Sequence, residues 1–300
     1  MAAAGGNIIR YIYRGAVGEI IPFGATHIFV QARSVRAYAF EGNPTIVEVI
    51  FHVDVEVVDE YAFANCPSLR RVIMPGVKSV GREAFYRCGA LMVVLCDELE
   101  LVAYGAFGEC ESLRSINLPS ARIVGCMAFR ECEALTDAKF GCKLERIFYL
   151  SLKDCSSLER ITIPLKNGLF TTDDIFLGCA ALKHVDVIEE AELNETISAL
   201  QLEEWRNDMN EEIDSINQIL PSARIGYYDG GNHLEPGEKV QVIRTWVRSV
   251  LDKIIHYKGE HQRILDVAEN TLQPHLPKDI LTNNVLPFLS LPSYSFDGEI

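Results

Sequence analysis

What this 300-residue chain lacks narrows the field first. It has no glycine-rich phosphate loop, no G-x-S-x-G turn and no G-x-G-x-x-G run, so familiar signatures of nucleotide binding and serine-nucleophile chemistry are missing. Its cysteines form no close C-x-x-C pair of the kind zinc sites use. The seven histidines are scattered, and His256 and His261 sit on different sides of a helix rather than as an i, i+4 metal pair. No apolar run approaches the ~20 residues that span a bilayer. Residues 1–10 carry no basic stretch ahead of an apolar core, which predicts no secretory leader, and Ala2 excludes the myristoylation pattern. Basic residues are outnumbered, 28 against 42 acidic ones, for a net charge of −14. Such a chain repels polyanions, which argues against nucleic acid or an anionic membrane as its main partner.

What is present is ordinary in bulk: 48% hydrophobic and 23% charged residues, enough for a sizeable core. Nine cysteines without a leader read as free thiols in a reducing, cytoplasmic compartment. The Asn194-Glu195-Thr196 sequon then carries no meaning.

The informative feature is a period. Ala-Phe, then Cys, then Leu recurs as Ala62-Phe63 with Cys66 and Leu69, Ala84-Phe85 with Cys88 and Leu91, Ala106-Phe107 with Cys110 and Leu113, and Ala128-Phe129 with Cys132 and Leu135. Looser copies hold Leu152, Cys155 and Leu158, then Phe176, Cys179 and Leu182, and an earlier one holds Ala39-Phe40 with Asn43 and Ile46. The Phe-position residues 40, 63, 85, 107, 129, 152 and 176 are spaced 23, 22, 22, 22, 23 and 24 apart. Each Leu opens an L-x-x-I-x-I stretch, as in Leu158-Ile161-Ile163, which alternates as a short strand does, and Pro75, Pro119 and Pro164 end such strands. No unit can bury its apolar side alone, so the units must stack, Phe on Phe, Leu on Leu and Cys on Cys.

Period and rhythm resemble the BspA-type leucine-rich repeat, I-G-x-x-A-F-x-x-C-x-x-L-x-x-I-x-I-P, over about residues 22–188. The resemblance implies an α/β leucine-rich-repeat solenoid, a curved parallel sheet of about seven rungs and roughly 30 Å. It also implies a binding or adhesion role, since members of the family are mostly such proteins, many of them exported. This chain departs from them in showing no export signal.

The cysteine column invites a metal or disulfide reading. One cysteine per rung lines up along the solenoid instead of converging, so the expectation is a buried column of small apolar side chains. Asp229-Gly230-Gly231-Asn232 reads as a turn, and Asp173-Asp174 as a turn start. No catalytic constellation emerges, and the sequence predicts neither an enzyme nor a cofactor or metal site.

The outward residues of the strands define a candidate recognition surface on the concave face. Rung by rung they are Glu48 and Ile50, Arg71 and Ile73, Val93 and Leu95, Ser115 and Asn117, Asp137 and Lys139, Arg160 and Thr162, His184 and Asp186. The early rungs gather Ile50, Ile73, Val93 and Leu95 into an apolar cluster rimmed by charge, as a protein-binding site would be. The competing expectation is that the N-terminal segment, with Ile20-Ile21-Pro22-Phe23, folds over that cluster.

Past Val187 the period ends. Residues 186–214 are strongly acidic, and Leu200, Leu202, Trp205, Met209, Ile213, Ile216 and Leu220 recur at near-helical spacing up to Pro221. A second helix follows, with Val240, Ile243, Val247, Val250, Leu251 and Ile254 as its stripe and Lys239, Arg244, Arg248 and Lys253 on other faces. The expectation is a helical cap in which the acidic helix lies against the basic one. Leu276-Pro277-Lys278-Asp279-Ile280-Leu281 with Val285-Leu286-Pro287-Phe288-Leu289 resembles the opening of an F-box, which would imply a ubiquitin-ligase adaptor. The expected division is an N-terminal cap at 1–21, repeats at 22–188, an acidic helical segment and linker at 189–232, and a helical region at 233–300. The expected function is a monomeric, non-enzymatic module that holds a protein partner on its concave face, against the F-box adaptor and a repeat protein with no dedicated ligand.

Overall fold

A computed structural model describes residues 8–188, 190–228, 234–235, 237–277, 280 and 285. The chain winds as a solenoid, and each rung sends one strand to the concave side. These strands are β1 (Arg10–Tyr13), β2 (His27–Val30), β3 (Glu48–Phe51), β4 (Arg71–Ile73), β5 (Val93–Leu95), β6 (Ser115–Leu118), β7 (Asp137–Phe140), β8 (Arg160–Ile163) and β9 (His184–Val187). All neighbouring pairs are parallel. They form two sheets, β1 to β5 and β6 to β9, and no strand ladder joins β5 to β6. Within the segment expected to cap the N-terminal end, β1 pairs with β2 as a full edge strand.

A second ladder of two-residue strands, from Ser34–Val35 to Arg146–Ile147, runs unbroken across six rungs. A third set of bonds follows the Ala-Phe corner, where Phe40, Phe63, Phe85 and Phe107 N–H each donate to the next rung's Ala carbonyl at 2.8 Å. This corner needs a left-handed residue on either side of Phe, such as Tyr61 (φ 55°) and Asn65 (φ 57°), or Glu83 and Arg87. Left-handed non-glycine backbone costs roughly 1–2 kcal/mol per residue, and the rung-to-rung bonds offset that strain. Gly76 is required for a different reason: a Cβ there would lie 1.7 Å from the Val53 carbonyl oxygen.

The interior follows the sequence columns. Rings of Phe40, Phe63, Phe85, Phe107 and Phe129 stack at 4.7, 5.3, 5.2 and 5.5 Å, within 3° of parallel. Tyr13 closes the stack edge-on, 5.0 Å from Phe40. Leu152 interrupts it, and Phe176 meets Phe170 edge-to-face instead. Cys66, Cys88, Cys110, Cys132, Cys155 and Cys179 are fully buried and free. Each thiol donates to the carbonyl of the Phe-position residue one rung back, at 3.0–3.2 Å. The column is therefore a ladder of hydrogen bonds, a role that spacing alone did not reveal. Burial pushes the Cys132 thiol up to about 12, and Cys88, Cys110 and Cys155 well above the ordinary value, so these groups stay protonated and inert at neutral pH.

Three helices close the far end: α1 (Glu190–Ser198), α2 (Glu203–Ile219) and α3 (Lys239–Leu272). The expected stripe of α3, from Val240 to Ile254, is buried. The acidic helix lies against the basic one as expected: Lys253 bridges Asp208 at 2.9 Å and Glu212 at 3.1 Å, and Trp246 donates to the Glu212 carbonyl at 2.9 Å. Docking onto the solenoid uses Asn217, which accepts from Val185 N–H at 3.0 Å, Lys239 on the Leu182 carbonyl, and Arg244 on Asp173 and the Phe170 carbonyl.

Candidate functional site

The register decides which outward residues stand side by side. In the first sheet, Ile12, Phe29, Ile50, Ile73 and Leu95 are consecutive partners in one row. Beside it runs a row of Arg10, His27, Glu48, Arg71 and Val93. Glu48 lies 3.8 Å from His27 and 3.5 Å from Arg71. Val93 and Leu95 are 38% and 48% exposed, Ile12 is 36% exposed, and Phe29, Ile50 and Ile73 are half-buried. The result is a continuous apolar row five strands long, flanked by a row at whose centre Glu48 lies between His27 and Arg71.

The second sheet presents the same two rows with different chemistry. One row reads Ser115, Asp137, Arg160, His184 and the other Asn117, Lys139, Thr162, Asp186. Arg160 bonds Asp186 at 2.5 Å and lies 3.9 Å from Asp137, so these charges satisfy one another. Thr162 corrects the expectation that every such residue faces solvent. It is only 8% exposed, in the strand next to β9, where the cap docks through Asn217.

Among the described residues, Ile20 and Phe23 of the expected covering segment do not close over the row, and residues 1–7 lie outside the described ones. Ile20 and Phe23 are 86% and 97% exposed, and their loop stands at the solenoid's end. Ile12 and Phe29 escaped sequence reading because the first turn lacks Ala-Phe. The alternation in Arg10-Tyr11-Ile12-Tyr13 and His27-Ile28-Phe29-Val30 was the signal that could have found them. The F-box-like stretch, 276–289, lies for the most part outside the described residues.

Where the concave ladder lapses between β5 and β6, the opposite corner is tied together. Glu109 accepts from the Tyr86 hydroxyl at 2.5 Å, Arg87 Nε at 2.7 Å and Arg130 Nη2 at 2.5 Å, so one carboxylate joins three rungs. Burial works against its charge, but these three donors outweigh it and hold its carboxyl below the usual range.

Comparison with known proteins bears on the fold. Residues 33–121 and 78–199 match the family described as BspA type leucine rich repeat region, in 6 copies. Among solved structures, a leucine rich cell surface protein from Faecalibacterium prausnitzii is 23% identical over 61% of this chain and 48% of its own, with a TM-score of 0.47. The T. pallidum leucine rich repeat protein is 20% identical over 60% of this chain and 70% of its own, with a TM-score of 0.38. The pneumococcal vaccine antigen PcpA is 18% identical over 59% of this chain and 54% of its own, with a TM-score of 0.40. The chain thus spans about half the length of the Faecalibacterium protein. No curated protein matches the sequence significantly.

Proposed function

The chain belongs to the BspA-type leucine-rich-repeat family, and on that premise we propose that it is a non-enzymatic interaction module holding a protein partner on the first half of its concave face. Leucine-rich-repeat proteins are generally protein-interaction modules. The observation that carries the reading is the in-register row Ile12, Phe29, Ile50, Ile73, Leu95, apolar and partly open, beside Arg71, Glu48 and His27. A contiguous apolar strip with a charged rim is the usual chemistry of a protein-binding surface. In the polar rows of β6 to β9, Arg160 is paired with Asp186 and Asp137, and these rows frame the site at one end. No helix among the described residues is long and apolar enough to cross a membrane.

The test is site-specific photo-crosslinking in lysate of the source cell. A photoreactive residue at position 73 should trap a partner, and the same residue at 139 should not. Ile50→Glu with Leu95→Glu should abolish the adduct. Equal trapping from both positions, or trapping that survives the double substitution, would move the site elsewhere.

A further inference from the structure

The first turn of the solenoid is short. Arg10 and His27 are register partners 17 residues apart, whereas His27 and Glu48 are 21 apart and Glu48 and Arg71 are 23 apart. So short a turn cannot follow the perimeter that carries Ala-Phe inward elsewhere, and while Ile21 packs against the core, three other apolar side chains stand outside. Val17, Ile20 and Phe23 are 91%, 86% and 97% exposed, beyond any other large apolar side chain among the described residues.

The loop is pinned rather than slack. Glu19 accepts from the Tyr11 hydroxyl at 2.6 Å, Arg14 N–H at 2.9 Å and Ala16 N–H at 2.8 Å. Arg36 Nη1 donates to the Ala16 carbonyl at 3.1 Å, and Ala25 N–H closes a turn on the Pro22 carbonyl at 3.1 Å. Burial opposes the Glu19 charge, yet the bonds from Tyr11, Arg14 and Ala16 prevail and hold its carboxyl below the ordinary value. Burial and Glu19 together push the Tyr11 phenol up to about 12. The one acidic side chain of residues 8–40 is thereby consumed in holding the loop, while Arg10, Arg14, Arg33 and Arg36 share that end. Arg33 leans toward Glu56 at 3.6 Å, whereas no ion pair engages the exposed Arg10 and Arg14 among the described residues.

We propose that residues 14–24, with Arg10 and Arg14 beside them, dock the N-terminal end of the solenoid onto an anionic lipid surface. Val17, Ile20 and Phe23 enter the headgroup boundary and the arginines meet lipid phosphates and carboxylates, the two-part attraction that interfacial binding requires. Lipid accepts protruding side chains without matched pockets, whereas a protein partner must supply one for each. The net charge of −14 works against this docking, and Glu41, Glu48, Asp54, Glu56, Asp59 and Glu60 stand one to two rungs behind the loop, so the outermost arginines and the exposed apolar side chains together must outweigh it. The acidic helices lie at the other end of nine strands, roughly 40 Å away at ~4.8 Å per strand. That distance is several times the ~10 Å over which salt screens charge.

Vesicle flotation tests the proposal, using the full chain with phosphatidylcholine vesicles and with phosphatidylcholine–phosphatidylserine vesicles. The protein should float with the anionic vesicles, less so as salt rises, and poorly with the neutral ones. A Val17→Ser, Ile20→Ser, Phe23→Ser variant should stay at the bottom with an unchanged circular dichroism spectrum, because none of these side chains is in the core. Arg10→Gln with Arg14→Gln should weaken anionic-vesicle binding by roughly 25-fold, about fivefold per arginine. Failure of the unaltered protein to float, or flotation undiminished by the triple substitution, overturns the proposal. A dimer in vesicle-free light scattering that the triple substitution dissolves also overturns it, in favour of a second copy on the same loop.

Discussion

Strands β1 to β5 turn Ile12, Phe29, Ile50, Ile73 and Leu95 toward the concave side, whereas β6 to β9 turn Asn117, Lys139, Thr162 and Asp186 the same way. Beneath both rows the interior scarcely changes: Val49, Val72, Val94, Ile116, Ala138, Ile161 and Val185 are all buried, one per rung. Each rung is the lid of the one before, so its inward residues answer to the neighbour's surface. The outward residues answer to nothing inside the chain, and there the halves diverge. One half keeps an apolar strip that nothing in the described structure covers, and the other pairs Arg160 with Asp186 and Asp137 and sets its last strand against a cap.

The largest expected effect tests the shared interior. Phe85→Ala in the first half should cost about 3–5 kcal/mol and Leu158→Ala in the second about 2–5 kcal/mol, read from chemical denaturation. A cost below ~1 kcal/mol for either would mean that the two halves are not held by equivalent columns.

The seam between the halves gives the next effect. Glu109 titrates below its ordinary value of 4.5 in the folded state, so its contribution is complete above that pH and fades as pH falls through the lowered folded value. Acid denaturation should therefore steepen below pH 4.5, and Glu109→Gln should remove that part of the pH dependence. An acid limb identical in both proteins would show that the corner network does not bridge the break in the concave sheet.

The smallest effect concerns the second half's own charges. Arg160 is 44% exposed on its side chain and faces Asp186 and Asp137. Arg160→Ala should cost no more than about 1 kcal/mol, because exposed pairs are screened. A larger loss in thermal unfolding would make that ion-paired row part of the structure rather than a solvated face.

The period of 22 to 24 residues, written in Phe, Cys and Leu, was enough to establish from sequence the solenoid, its strands and its buried columns. It was legible because each rung repeats the same local demand, so one degenerate copy such as Leu152 does not erase it. The stripe of α3 and its acidic neighbour were legible for the same reason, since helical spacing is local. What only the tertiary structure decided lies at ends and seams. These are the entry of Arg10–Tyr13 into the sheet, the lapse between β5 and β6, the burial of Thr162, and the outward stance of Val17, Ile20 and Phe23. A repeat specifies its neighbours by translation, but its first and last rungs lack a neighbour. Their side chains settle against whatever the rest of the chain brings there, which no local pattern encodes.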